Sequence, residues 1–324
     1  MMIRRRVAGL LLAVVPAALV TAACGRSDRK TIAVVPKATS HLFWQSVHAG
    51  AVKAGQDLNV NVEWNGAATE TDYSRQIQIV DSMIARRVDG MAIAASDRDA
   101  LDASLDRAAA VKMPVTIFDS GVDSDKYLTF VATNNFEAGQ MAARKLAGLL
   151  KGKGRILMIQ HAPGSRSTMD REQGFDQVLQ KEFPGMRVVG RQFGMSDRSK
   201  AMAATENLLA ANSDVDGIFA SAEPSSVGAA LAIKARGLSG KVRYVAFDAT
   251  DSLVEDMQGG TIDALVVQDP FQIGYQAVST LVDNLHGKTP PKRIDLSATV
   301  VTREDLPRPE IHALLFPDVK KYLP

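Results

Sequence analysis

From Thr31 onward the chain repeats one pattern: a short β-branched or apolar run, a polar turn, then an amphipathic helical stretch. The runs are Ile32 to Val35, Val60 to Trp64, Gly90 to Ala94, Val115 to Phe118, Leu128 to Val131, Ile156 to Ile159, Arg187 to Val189, Gly217 to Phe219, Val242 to Phe247 and Ala264 to Val267. Continuous apolar runs of this length suit parallel strands buried on both faces. Between them lie helical segments such as Leu42 to Leu58, Tyr73 to Arg87, Phe136 to Leu150, Met169 to Lys181, Ser199 to Ala211 and Ser225 to Arg236. Alternating strands and helices predict a doubly wound α/β fold. About ten strands exceed one compact sheet of this kind, so the pattern predicts two sheets in two lobes.

The first 30 residues do not share this pattern. Arg4, Arg5 and Arg6 precede an apolar run from Val7 to Val20 and then Thr21-Ala22-Ala23-Cys24-Gly25. These are the three zones of a secretory signal, with small residues at the cut. The apolar run is shorter than the roughly 20 residues of a membrane span. The segment resembles a bacterial lipobox, with Thr21 where leucine is usual, which implies lipidation of Cys24 as the first mature residue. A plain signal peptide followed by an ordinary small residue is the alternative. Cys24 is the single cysteine, so a disulfide is not expected. Gly25 and Arg26 lack the aspartate that retains lipoproteins at an inner membrane, and the choice of membrane stays open. The expected location is the periplasm or cell surface, held to the membrane through a lipid anchor alone, with residues 24–30 as a tether.

Removing residues 1–23 leaves 301, enough for two medium domains. The formal charge is +2, with acidic and basic residues interspersed, which is no nucleic-acid surface.

In doubly wound sheets functional groups sit at the carboxyl ends of strands. There the sequence places Pro36, Lys37, His41, Phe43 and Trp44 after the first strand, Asp119 and Ser120 after the fourth, and the loop His161 to Arg171 after the sixth. Ala222 and Glu223 follow the eighth strand, Asp248 the ninth, and Gln268 and Asp269 the tenth. Carboxylates, an amide, basic groups and aromatics on one crevice suit a polyhydroxylated ligand: hydroxyls need donors and acceptors, and the faces of a sugar ring need aromatic walls.

Ile32-Ala33-Val34-Val35 with Phe43-Trp44, Met113 to Asp119, Arg171-Glu172-Gln173-Gly174-Phe175, Val245-Ala246-Phe247-Asp248 and Gln268 to Gly274 together resemble the ribose-binding type of periplasmic solute receptors over nearly the whole mature chain. The resemblance implies an α/β fold of two Rossmann-like, doubly wound lobes joined by a three-strand hinge. It implies closure on a monosaccharide or polyol, delivery to an ABC permease, a monomer, and no cofactor or metal. The lobes would comprise 31–132 plus 269–297, and 133–268 plus 298–324, with hinges near Thr133, Gln268 and Ala298. By the same resemblance Phe43 and Trp44 stack on the ring, and Asp119, Arg171, Asp248 and Gln268 bind hydroxyls.

The chain departs from a ribose receptor at Ser120, where arginine is expected, at Ala222, where asparagine is expected, and at Lys37 and His41 in the first loop. Val35-Pro36-Lys37, Asp119-Ser120 and Gln192-Phe193-Gly194 also resemble autoinducer-2 and rhamnose receptors of the same superfamily. Lys37 is expected to pair with Asp119 or Glu223, leaving the site neutral; unpaired, it would favour a sugar acid.

Plainer readings stand beside these. Phe43 and Trp44 suit core packing, Lys37 and His41 solvated loop positions, Arg171 a surface pair with Asp170 or Glu172, and Asp119 and Asp248 turn caps. An enzyme is not expected. The five histidines form no metal spacing, no GxSxG elbow is present, and Gly152-Lys153-Gly154 is not a phosphate loop. A glycosidase-like use of Asp119 and Asp248 is the remaining catalytic alternative.

Overall fold

The computed structural model describes residues 29–323; the expected leader over residues 1–23 and the lipidation of Cys24 lie outside the described residues. Strands β1 (Thr31–Val35), β2 (Asn61–Trp64), β3 (Gly90–Ile93), β4 (Val115–Phe118) and β5 (Thr129–Thr133) alternate with helices α1 (Leu42–Asp57), α2 (Tyr73–Arg86) and α3 (Asp102–Ala110). The chain then builds α4 (Asn135–Leu149), β6 (Lys153–Gln160), α5 (Arg166–Glu182), β7 (Gly185–Phe193), α6 (Arg198–Ala211), β8 (Gly217–Ala220), α7 (Glu223–Ala235), β9 (Arg243–Phe247), α8 (Asp251–Gln258) and β10 (Ala264–Val267). It ends with α9 (Pro270–Leu285), β11 (Arg293–Leu296), β12 (Thr299–Val301) and α10 (Pro309–Leu315).

Two six-stranded sheets result, in the orders β11-β5-β4-β3-β1-β2 and β12-β10-β9-β8-β6-β7. Every neighbouring pair is parallel except β10 with β12. Buried side chains form a cluster on each face of each sheet, which is why the inner strands carry unbroken apolar runs. The chain passes between sheets three times: from β5 into α4, from β10 into α9, and from β11 into β12.

The ten expected runs contain neither β11 nor β12. Both are edge strands, and β11 alternates exposed Arg293 and Asp295 with half-buried Ile294 and Leu296, so one wet face breaks the run. The chain's end also differs from expectation. The expected second lobe includes the whole of residues 298–324, but the 3-10 turn Val319–Lys321 lies against α1 and Tyr322 packs on Phe271 of α9. Ile311 and Leu315 of α10 are buried in the second core and Leu314 packs against it, whereas the ring of Tyr322 is covered by Phe271 of the first lobe.

Helix starts are set by side-chain caps. Asp72, Asn134, Asp197, Thr250 and Asp269 each accept the backbone N–H three residues on, satisfying an N–H that the helix itself leaves free.

Candidate functional site

The strands of both lobes end at one cavity, lined by Lys37, His41, Phe43, Trp44, Glu70, Asp119, His161, Ser167, Thr168, Arg171, Ala222, Glu223, Pro224, Asp248 and Gln268. Ten of the eleven expected ligand residues are on this wall; Ser120 is not. Ser120 is fully buried beneath it, and its Oγ accepts the Ser167 backbone N–H at 3.3 Å. A short hydroxyl at this place braces the first turn of α5 in the opposing lobe.

Asp119 and Asp248 occupy equivalent positions, each directly after a central strand of its lobe and each with a left-handed backbone, φ 56° and 67°. Non-glycine residues rarely take this conformation, and it turns each carboxylate away from its strand. Lys37 Nζ stands 3.4 Å from Asp119 Oδ2 and donates across the cleft to Ser165 Oγ at 3.0 Å and Ser167 Oγ at 3.1 Å. The lysine is buried, at 2% exposure, and its charge is matched within the protein. Glu223, the other expected partner, is taken by Arg198, whose Nε donates to Oε1 at 3.0 Å.

Arg171 is held from three sides. Its Nε donates to Asn135 Oδ1 at 2.8 Å, a terminal NH donates to the Ser221 carbonyl at 2.9 Å, and its guanidinium lies 3.9 Å from the centre of the Phe247 ring. Burial lowers its pKa, opposed by the charges of Asp248 and Asp119. Asp248 accepts from Gln268 Nε2 at 2.7 Å and from the backbone N–H of Glu223, the first residue of α7, at 2.9 Å. A carboxylate at a helix N-terminus is favoured by the helix dipole. Burial nevertheless raises its pKa, with Arg171 and Gln268 opposing. Gln268 also accepts from Thr133 Oγ1 at 2.8 Å, which ties two of the crossing segments together.

Trp44 lies both in the core and on the wall. It is 2% exposed and belongs to the first lobe's core, with an edge contact to Phe118, yet its ring also reaches the cavity wall. Phe43 packs against it at right angles, centroids 5.0 Å apart.

The wall residues absent from expectation are Glu70 and Pro224; Ser167, Thr168 and His161 fall within the expected stretch His161 to Arg171, which gave none of them an individual role. Glu70 follows β2, so the strand-end rule that found the other groups covers it as well. Its carboxylate gathers Trp44 Nε1 at 2.9 Å, His41 Nδ1 at 3.3 Å and His161 Nε2 at 2.8 Å. Burial alone would raise its pKa; its contacts with His161 and His41, and the charge of Lys37, hold it well below the usual carboxylate range. His41 is raised because its contacts with Glu70 outweigh desolvation, which alone would lower it. Two buried side-chain atoms on the wall, His161 Nδ1 and Glu223 Oε2, have no hydrogen-bond partner among the described residues. No cluster of His, Cys, Asp or Glu among the described residues is arranged to hold a metal ion, and no described helix is long and apolar enough to cross a membrane.

Comparison with known proteins meets this geometry. The ribose import binding protein of Bacillus subtilis is 28% identical over 280 residues, covering 86% of this chain and 90% of that one. A carbohydrate transporter solute binding protein of Agrobacterium radiobacter, solved with D-arabinose, superposes with a TM-score of 0.87 at 32% identity, covering 90% of this chain and 100% of the other. An ABC transporter solute binding protein of Agrobacterium vitis, solved with D-fucose, gives 0.85 at 33% identity, covering 88% and 100%. The family model of the periplasmic binding protein domain matches residues 32–289, and the chain, with two α/β lobes closed on a shared cavity, belongs to that family of solute receptors.

Proposed function

We propose that the protein captures a neutral monosaccharide or polyol between its lobes outside the cytoplasm and delivers it to an ABC importer. The observation that carries this reading is the balance of charge around the cavity. Asp119 faces Lys37, Asp248 faces Arg171, Glu223 is paired with Arg198, and Glu70 is flanked by two histidines. A carboxylate ligand would find each cation already matched, whereas hydroxyls can use the lone pairs and N–H groups that these pairings leave over. The relatives described above are named for ribose, or bind D-arabinose and D-fucose. They favour this reading over an autoinducer-2 or rhamnose signal receptor and over a glycosidase.

Ligand groups from both lobes would favour the closed arrangement, with hinge motion at the three crossing segments near Thr133, Gln268 and Ala298. We read residues 1–23 as a leader and Cys24 as the lipidated first residue of a monomeric receptor. Acyl mass on the N-terminal peptide, lost in Cys24→Ala with unchanged ligand affinity, checks the anchor.

The test of the ligand is a thermal-shift panel of D-ribose, D-arabinose, D-fucose, their polyols and the corresponding sugar acids. A ligand at 100 times its dissociation constant stabilises by about 2.7 kcal/mol, which the panel resolves. Stabilisation by a neutral member is expected. Stabilisation by the sugar acids alone overturns the neutral reading.

A further inference from the structure

The contact between Glu70 and His161 joins the two lobes inside the cavity wall, between residues 91 positions apart. Both side chains are buried, with His161 at 2% exposure. The histidine is fixed at its other end too, since Glu172 Oε1 accepts its backbone N–H at 3.4 Å. Glu172 is itself anchored by Gln160 Nε2 at 2.7 Å and Ser221 Oγ at 2.8 Å. An acceptor-only carboxylate 2.8 Å from Nε2 requires the imidazole proton to reside there. In the neutral ring Nδ1 then keeps a free lone pair, and Nδ1 is the buried atom that no described residue satisfies. A buried acceptor left without a donor costs about 1 to 3 kcal/mol, so this atom needs a partner from the cavity that His161 lines.

We propose that His161 is a specificity-determining ligand contact whose Nδ1 accepts a hydrogen bond from one hydroxyl of the bound sugar, and that Glu70 is the positioning residue that fixes its tautomer from the opposite lobe. This inference rests on the sugar reading above. It gives the cavity a demand that the other wall groups do not make: one ligand position must carry a hydrogen-bond donor. Because Glu70 belongs to the first lobe and His161 to the second, the acceptor is oriented only when the lobes are together. Recognition of that hydroxyl is thereby coupled to closure.

The neutral sugar that binds most tightly in the thermal-shift panel, and its monodeoxy derivatives, provide the test by calorimetry on the wild type and on His161→Gln. A glutamine amide reaches the place of Nε2 and can keep the Glu70 bridge, but offers nothing at Nδ1. Affinity for the parent sugar should fall about tenfold in His161→Gln. One monodeoxy derivative should bind the wild type weaker by a similar factor and bind both proteins equally. If every derivative loses the same factor in both proteins, the inference is overturned while the sugar reading stands. If no neutral sugar or polyol binds, the sugar reading fails and this inference with it.

A second measurement needs no variant that must fold. In ¹⁵N-histidine-labelled wild type, saturating sugar should move the Nδ1 resonance of His161 and leave its protonated Nε2 in place; an unmoved Nδ1 overturns the contact. Glu70→Gln should redistribute the tautomer signature of His161 in the free protein, and an unchanged signature removes the positioning role.

Discussion

Gly139 on α4 lies directly under the backbone of Arg171 on α5: a Cβ at Gly139 would stand 1.9 Å from the Arg171 carbonyl oxygen. The contact is reciprocal, because a Cβ at Gly174 would stand 2.0 Å from the Phe136 carbonyl oxygen. The first lobe repeats the device between α1 and α9, where a Cβ at Gly50 would stand 1.9 Å from the Phe271 carbonyl oxygen and one at Gly274 2.0 Å from that of Val47. Each lobe thus packs helices backbone to backbone, and the second lobe does so again where Gly228 of α7 meets the backbone of α6. The α4–α5 pair sets the depth at which the Arg171 guanidinium enters the cavity.

Gly139→Ala is therefore expected to push α5 outward. Overpacking costs about 1 to 3 kcal/mol, and a backbone carbonyl yields less readily than a side chain, so the upper end applies. Gly148→Ala on the same helix meets nothing within 4 Å and should be neutral or stabilise by up to about 1 kcal/mol. Denaturant melts of the two variants check the contrast, and equal stabilities would refute the close packing.

Arg171→Ala removes a buried cation from the cavity. Charged hydrogen bonds contribute about 1.5 to 3 kcal/mol, so affinity should fall roughly tenfold to a hundredfold or more by calorimetry. Arg171→Lys should recover only part of the loss, since a single ammonium cannot both reach Asn135 and the Ser221 carbonyl and stack flat on Phe247.

Lys37→Met leaves Asp119 buried at 3% exposure without its cation. Breaking a buried pair from one side costs about 3 to 5 kcal/mol, which thermal melts of the ligand-free protein would register. The double variant Lys37→Met with Asp119→Asn removes both charges and should recover much of that stability. A double variant no more stable than Lys37→Met would show that the lysine acts through its cross-cleft hydroxyl partners instead.

His48 stacks on Trp64, centroids 4.4 Å apart, and burial lowers its pKa from 6.5 to about 4. Above pH 6.5 the ring is neutral folded and unfolded, so it adds no pH dependence. As pH falls from 6.5 toward about 4 the unfolded chain takes a proton that the folded protein refuses, and stability drops through that window. His48→Phe should flatten that part of the pH profile of Tm while leaving the cavity untouched.

The alternation of apolar runs with amphipathic stretches determined the two-sheet α/β architecture, because strands buried on both faces can only be written as continuous apolar segments. Their carboxyl ends determined where to look, and that rule brought Lys37, Asp119, Arg171, Asp248 and Gln268 to one cavity wall. Edge strands such as β11 escaped, since a half-exposed strand has no such signature. Which charge meets which was decided by the tertiary structure alone. Lys37 had two acidic candidates along the sequence, and only the fold gave it Asp119 while Arg198 claimed Glu223. Glu70 and His161 belong to different lobes, and nothing local to either residue writes a partner 91 positions away. Periodicity is a property of neighbours in the chain, whereas pairing depends on distances fixed only when the two lobes meet.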